Sequence, residues 1–175
     1  RQPGVLGSAG PGTIEVGSDG TQKARGIYPI ALAEKIARRP LNDPADPDIV
    51  ADFNRNNTWY YGTDANPPAG QTDLVSVVLH ELGHGLGFIG YINTSGNTAS
   101  YPLPAVFDHF LENNQGVNLL NQQRFPNGST QLFSQLTNNN LFFDGPILQQ
   151  RTGQRAKLFA PSAFDRGSSV YHLDE

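Results

Sequence analysis

The sequence predicts an α+β fold organised around one helix over residues 72–86. Three observations carry that expectation. The run 72–90, TDLVSVVLHELGHGLGFIG, holds no proline and repeats apolar residues at helical spacing. A shorter run near residues 30–39 has the same spacing. Around both lie short β-prone runs separated by clusters of Gly, Pro, Asn and Asp, which predict a twisted sheet beside the helices.

In chain order, the first 26 or so residues are rich in Gly, Ser, Pro and Thr, and residues 5–9 and 13–16 read as short strands. Residues 30–39, IALAEKIARR, place Ile30, Ala33, Ile36 and Ala37 on one helical face, and Pro40 stops the helix. Residues 42–48, NDPADPD, form a turn cluster. This acidic loop lacks the spaced ligands and the glycine of an EF-hand, so it reads as solvated and calcium has no supporting motif. Residues 49–53, IVADF, read as a strand, 54–57 as a turn, and 58–61, TWYY, as a β-prone aromatic run. The loop 64–71 leads into the long helix.

That helix has Thr72 or Asp73 to cap it. At about 100° per residue, Val75, Val78, Leu79, Leu82 and Leu86 fall on one stripe, expected to pack on a core. His80 and His84 fall on the opposite side, expected to face a cleft. Gly83 and Gly85 weaken the helix by up to about 1 kcal/mol each against alanine. Gly87 reads as the residue that ends it, in a left-handed conformation. Beyond residue 90 the chain is rich in Asn, Gln and Gly. Residues 105–111 alternate as a strand would, 130–136 read as a short helix capped by Ser129, and 141–143 and 156–159 as further strands. Three N-x-S/T matches, at Asn56, Asn93 and Asn127, are expected by chance in so Asn-rich a chain.

Composition narrows the function. The 175 residues are enough for one domain with a substantial core, or one domain with a large insertion. Net charge is −4 and no basic cluster exceeds Arg38-Arg39, which argues against nucleic acid as a partner. No apolar run reaches the roughly 18 residues that a membrane span needs. The absence of cysteine removes disulfides, cysteine–zinc sites and thiol catalysis, and with them the peptide-deformylase reading of the motif below. The chain opens on Arg1 and contains no methionine, so a processed chain or an excised piece of a longer one is expected, with any signal peptide already removed.

The chemistry lies in His80-Glu81-Leu82-Gly83-His84, an H-E-x-x-H motif. On a helix, residues four apart share a face, so both imidazoles can reach one metal ion. Glu81 stands about 100° further round, at the edge of that face, where a general base can reach the attacking water. A catalytic zinc usually takes three protein ligands. His109 and His172 are the remaining histidines. Glu112 would be the choice of a thermolysin-type site, although FLENNQG does not read as the helix such a glutamate comes from. Asp174 and Glu175 could orient a ligating histidine or simply form a charged end.

The motif extends through Gly87 along H-E-x-x-H-x-x-G-x-x-H, the pattern of the metzincin metallopeptidases. At position 90, where a compact metzincin has its third histidine, this chain has Gly90, and neither Phe88 nor Ile89 can replace it. There the sequence resembles the leishmanolysin-like branch, in which H-E-x-x-H-x-L-G-F is followed by a long insertion before the third histidine. His84-Gly85-Leu86-Gly87-Phe88 matches that start, and residues 167–175, GSSVYHLDE, look like the return. The chain is also similar to large secreted bacterial proteins with this signature. The resemblance rests on residues 72–90 and 160–175.

It implies a zincin-like fold with an active-site helix, His172 as the third ligand beside His80 and His84, and residues 88–171 as the insertion. It further implies a methionine-containing turn below the metal, which this methionine-free stretch lacks or which is expected beyond residue 175. The function it implies is a secreted, monomeric zinc endopeptidase, bacterial in type, that hydrolyses protein or peptide substrates by a zinc-activated water with Glu81 as general base. By analogy of fold, residues 49–53 or 58–61 would supply the strand that pairs with extended substrate. The contrasting expectation is a non-catalytic binding or adhesion module on a zincin scaffold.

Overall fold

The computed structural model describes residues 4–17 and 26–174. The fold is α+β, with four α-helices, one 3-10 helix and short strands among the described residues. The strands form five small sheets of two or three strands each, not one continuous sheet. The chain divides into two compact units, one ending at Phe88 and the other beginning, apart from Gly26 and Ile27, at Ile89. No helix among the described residues is long and apolar enough to cross a membrane.

In the first unit, β1 (Gly7–Pro11) runs antiparallel to β4 (Ile49–Phe53), with Gly7 opposite Phe53 and Pro11 opposite Ile49. β2 (Ile14–Val16) pairs with β3 (Ile27–Pro29), which leads directly into α1 (Ile30–Ala37). Ile30 and Ala33 of α1 are buried as expected. Ile36 is not, and the helix stops before Arg39 because Arg38 turns to φ 56° and donates its N–H to the Glu34 carbonyl. β5 (Trp59–Tyr60) lies parallel to β6 (Thr72–Asp73), and α2 (Leu74–Leu86) follows β6 without a loop.

The packing of α2 corrects the expected apolar stripe. Val75, Leu79, Leu82 and Leu86 are exposed, Leu79 at 65%. The face that packs is the one carrying Glu81 and Gly85, the buried residues of the helix. The reason is close approach. The space of a Cβ at Gly85 is filled by the Ile49 side chain, whose Cδ1 would lie 2.9 Å from it. The helix thus meets β4 through its smallest residue, and interior packing is close enough that one missing side chain decides which face turns inward.

The second unit begins with a hairpin, β7 (Asn93–Ser95) against β8 (Thr98–Ser100). Residues 105–111 do not form the expected strand. Phe107–Phe110 is a 3-10 helix, because the Asp108 carboxylate accepts from the Ala105 N–H three residues back and bends the chain there. β9 (Leu111–Asn113), β10 (Leu141–Phe143) and β11 (Ala156–Leu158) make an antiparallel sheet with β10 in the middle. Its buried residues include Leu111, Leu141 and Leu158. α3 (Thr130–Gln135) is capped by Ser129, whose hydroxyl accepts from Leu132 N–H at 3.1 Å, and α4 (Pro146–Thr152) opens on a proline.

Candidate metal centre

The geometry of α2 is set at both ends. Asp73 caps the start, its Oδ2 accepting from Ser76 N–H at 3.1 Å and from the Ser76 hydroxyl at 2.5 Å. The Ser76 hydroxyl is the chief reason that the Asp73 carboxyl titrates below its usual range. At the other end Gly87 takes φ 127°, a conformation that a side chain would disfavour. Phe88 N–H then reaches the Gly83 carbonyl at 3.0 Å and Gly87 N–H the His84 carbonyl at 3.2 Å. These are the paired bonds of a Schellman turn, and the helix ends at the glycine from which the sequence predicts its end.

That turn orients the His84 ring. It brings the Phe88 carbonyl to 2.8 Å from His84 Nδ1. A carbonyl only accepts, so Nδ1 carries the proton and Nε2 presents its lone pair. His80 Nε2 lies 3.1 Å from His84 Nε2, with the rings edge to face and their centroids 4.8 Å apart. Two nitrogens bound to one tetrahedral zinc at ordinary lengths stand about 3.3 Å apart. The pair is therefore spaced as two ligands of a single ion, and the backbone hydrogen bond to one of them is the kind of outer contact that fixes ligating histidines.

Glu81, between the two histidines in sequence, is 6% exposed. Its side chain lies against Gly7 of β1, where a Cβ would stand 3.1 Å from both Cγ and Oε1 and 3.2 Å from Phe53 Cδ1. The carboxylate is thus held between helix and strand.

His172 lies on a return segment held beside β11 in the second unit. Its carbonyl accepts from Phe159 N–H at 2.9 Å, Val170 N–H reaches the Phe159 carbonyl at 2.8 Å, and Asp174 N–H the Lys157 carbonyl at 3.1 Å. His172 Nδ1 is 2.9 Å from the Ser168 carbonyl, so by the same reasoning Nδ1 carries the proton and Nε2 presents its lone pair.

The other residues weighed from sequence have different surroundings. His109 is on the 3-10 helix, and its carbonyl accepts from Asn118 Nδ2 at 2.8 Å. Glu112 sits on β9 with Arg155 at 3.4 Å, and that guanidinium also lies over the Phe142 ring at 4.5 Å. Asp174 pairs with Lys157 at 2.6 Å. Glu175 falls outside the described residues. In the acidic loop, Asp43 accepts from Ala45 N–H and Asp48 from Asn42 Nδ2, both within the loop itself.

Sequence reasoning missed Gly7 and Asp108. No local pattern marks a glycine on one strand as the neighbour of a distant carboxylate. Asp108 is fully buried, and burial pushes its carboxyl up to about 6. Its only sequence signal was a carboxylate inside the aromatic run FDHF.

A family profile described as SPBPB7E8-like matches residues 2–144. The chain belongs to the SPBPB7E8-like family. The stretch shared with the SPBPB7E8-like family takes in all of α2, with His80, Glu81 and His84, and ends before His172. The chain matches no curated protein and no solved structure.

Proposed function

We propose that this chain is a secreted zinc endopeptidase of the metzincin type, with a zincin-like catalytic unit and a leishmanolysin-like insertion over residues 88–171. The observation that carries the reading is the 3.1 Å separation of His80 Nε2 and His84 Nε2, with Glu81 between them on α2. The Schellman turn at Gly87 supports it, because it supplies the carbonyl that sets the His84 tautomer. The reading takes His172 as third ligand.

These residues fit zinc, for which three imidazoles and an open position make a catalytic donor set. A zinc ion held there would polarise the scissile carbonyl and supply a nucleophile from water near neutral pH. Glu81 takes the proton of the attacking water and returns it to the leaving amine. The Phe88 and Ser168 carbonyls hold the His84 and His172 rings through their Nδ1–H groups. The substrate is an extended peptide.

Glu81→Gln tests the reading, since it keeps the shape and removes the base. The expected result is a loss of peptide cleavage of roughly 10²- to 10⁴-fold with zinc content unchanged. Cleavage by the variant at the parent's rate would overturn the mechanism. Zinc binding by a parent that cleaves no peptide would move the reading to a non-catalytic binding or adhesion module.

A further inference from the structure

We propose that Asp108 is the positioning residue of the third ligand, acting through Tyr171 on His172. The inference deepens the zinc-peptidase reading and rests on it. All of its residues lie in the second unit.

Three segments converge on the Asp108 carboxylate, which has no exposed surface. Its Oδ1 accepts from the Tyr171 hydroxyl at 2.9 Å. Its Oδ2 accepts from Ala105 N–H at 2.7 Å and from Tyr91 N–H at 3.3 Å. The Tyr171 hydroxyl accepts in turn from Ile92 N–H at 3.2 Å. One carboxylate and one phenol therefore tie residues 91–92, at the start of the insertion, to the residue before His172 at its end.

Gly90 completes the clasp. A Cβ there would overlap Asp108 Oδ1 and the Tyr171 ring, whose Cζ would lie 2.5 Å away. Position 90 is where the compact pattern has its third histidine. Here the space that any side chain would need is taken by the Asp108–Tyr171 pair.

The chemistry points to direction more than to packing. An apolar side chain would fill this interior as well, without the desolvation that a buried carboxylate carries. What Asp108 adds is acceptor geometry, which stops the Tyr171 phenol from swinging. Tyr171 is flanked by further constraint. Val170 is fully buried at φ 78°, a conformation that β-branched residues rarely adopt. His172 is bonded at both its carbonyl and its Nδ1. Three successive residues are pinned, as an imidazole needs when its ring must hold one orientation.

The experiment measures zinc affinity, by competition with a chromophoric chelator, for the parent, Tyr171→Phe, His172→Ala and the double variant. Urea denaturation of the metal-free proteins shows that each is folded. Tyr171→Phe is expected to weaken zinc binding by roughly 10- to 100-fold in the parent. In the His172→Ala background the same change is expected to have less than about a twofold effect, because the residue it acts through is gone. Gly90→Ala, which forces the clasp apart without removing a polar group, is expected to show the same dependence on His172 and stands in if Tyr171→Phe does not fold. Equal weakening in both backgrounds would make the clasp merely structural and overturn the proposal, as would unchanged affinity. A parent that binds no zinc overturns the peptidase reading along with this one. A parent that binds zinc through His80 and His84, with Tyr171→Phe unaffected, overturns this inference alone.

Discussion

Gly7 of β1 and Glu81 of α2 are in direct contact, with only 3.1 Å between the Glu81 side chain and the place where a Cβ of residue 7 would stand. That spacing is tighter than side chains normally accept, so Gly7 is what lets the carboxylate of the H-E-x-x-H motif sit under the strand. We expect Gly7→Ala to displace Glu81 by a few tenths of an ångström. Since a misplacement of about 1 Å can lower a rate by about 10²-fold, a loss of up to roughly tenfold in kcat is expected. Zinc content should be unchanged. Steady-state kinetics with metal analysis on the same sample checks this, and a loss of zinc would place the effect on the ligands instead.

The two glycines inside α2 should respond in opposite directions. Among the described residues, nothing beyond its chain neighbours and its own helix backbone lies within 4 Å of the Gly83 Cβ position, so Gly83→Ala should stabilise the protein by up to about 1 kcal/mol through helix propensity. Gly85→Ala drives a methyl into Ile49 and should destabilise by about 1–3 kcal/mol. Urea denaturation of the two variants decides it. A stabilising Gly85→Ala would mean that the helix does not approach β4 as described.

Asp108 should give the stability curve a pH dependence. Burial raises its carboxyl from 3.8 to about 6, against the opposing hydrogen bonds from Ala105, Tyr171 and Tyr91. Besides Tyr91 and Tyr171, Tyr101 is coupled to it electrostatically, and all three phenols titrate above their usual value. Because the folded carboxyl holds its proton to higher pH than the unfolded one, its contribution is fully present below about pH 4 and is lost as pH rises through about 6. The full swing is of order 3 kcal/mol. In Asp108→Asn that decline should be absent, as denaturation midpoints of the metal-free proteins between pH 4 and 7 will show. An unchanged slope would assign the dependence to other groups.

What the sequence made legible was local. The approach of the His80 and His84 rings follows from a four-residue spacing, and the helix end at Gly87 from a glycine at the right offset, because each depends on backbone within a turn. The Ser129 cap and the strand at 141–143 were readable for the same reason. The face of α2 was not. Hydrophobicity put Val75, Leu79, Leu82 and Leu86 inward, but Gly85 approaches Ile49 more closely than any leucine could, and periodicity does not register an absent side chain. The strand expected at 105–111 failed because Asp108 takes the Ala105 N–H and bends the chain there. Its partners, Tyr91 and Tyr171, are 80 residues apart, and no local pattern joins them.

The central claim is tested most directly by elemental analysis of zinc in the purified parent and in His172→Ala. About one zinc per parent chain, sharply reduced in the variant, is the expected result, as for a three-histidine catalytic site. Unchanged zinc in His172→Ala would contradict the assignment of the third ligand. No zinc in the parent after incubation with the metal would contradict the account as a whole.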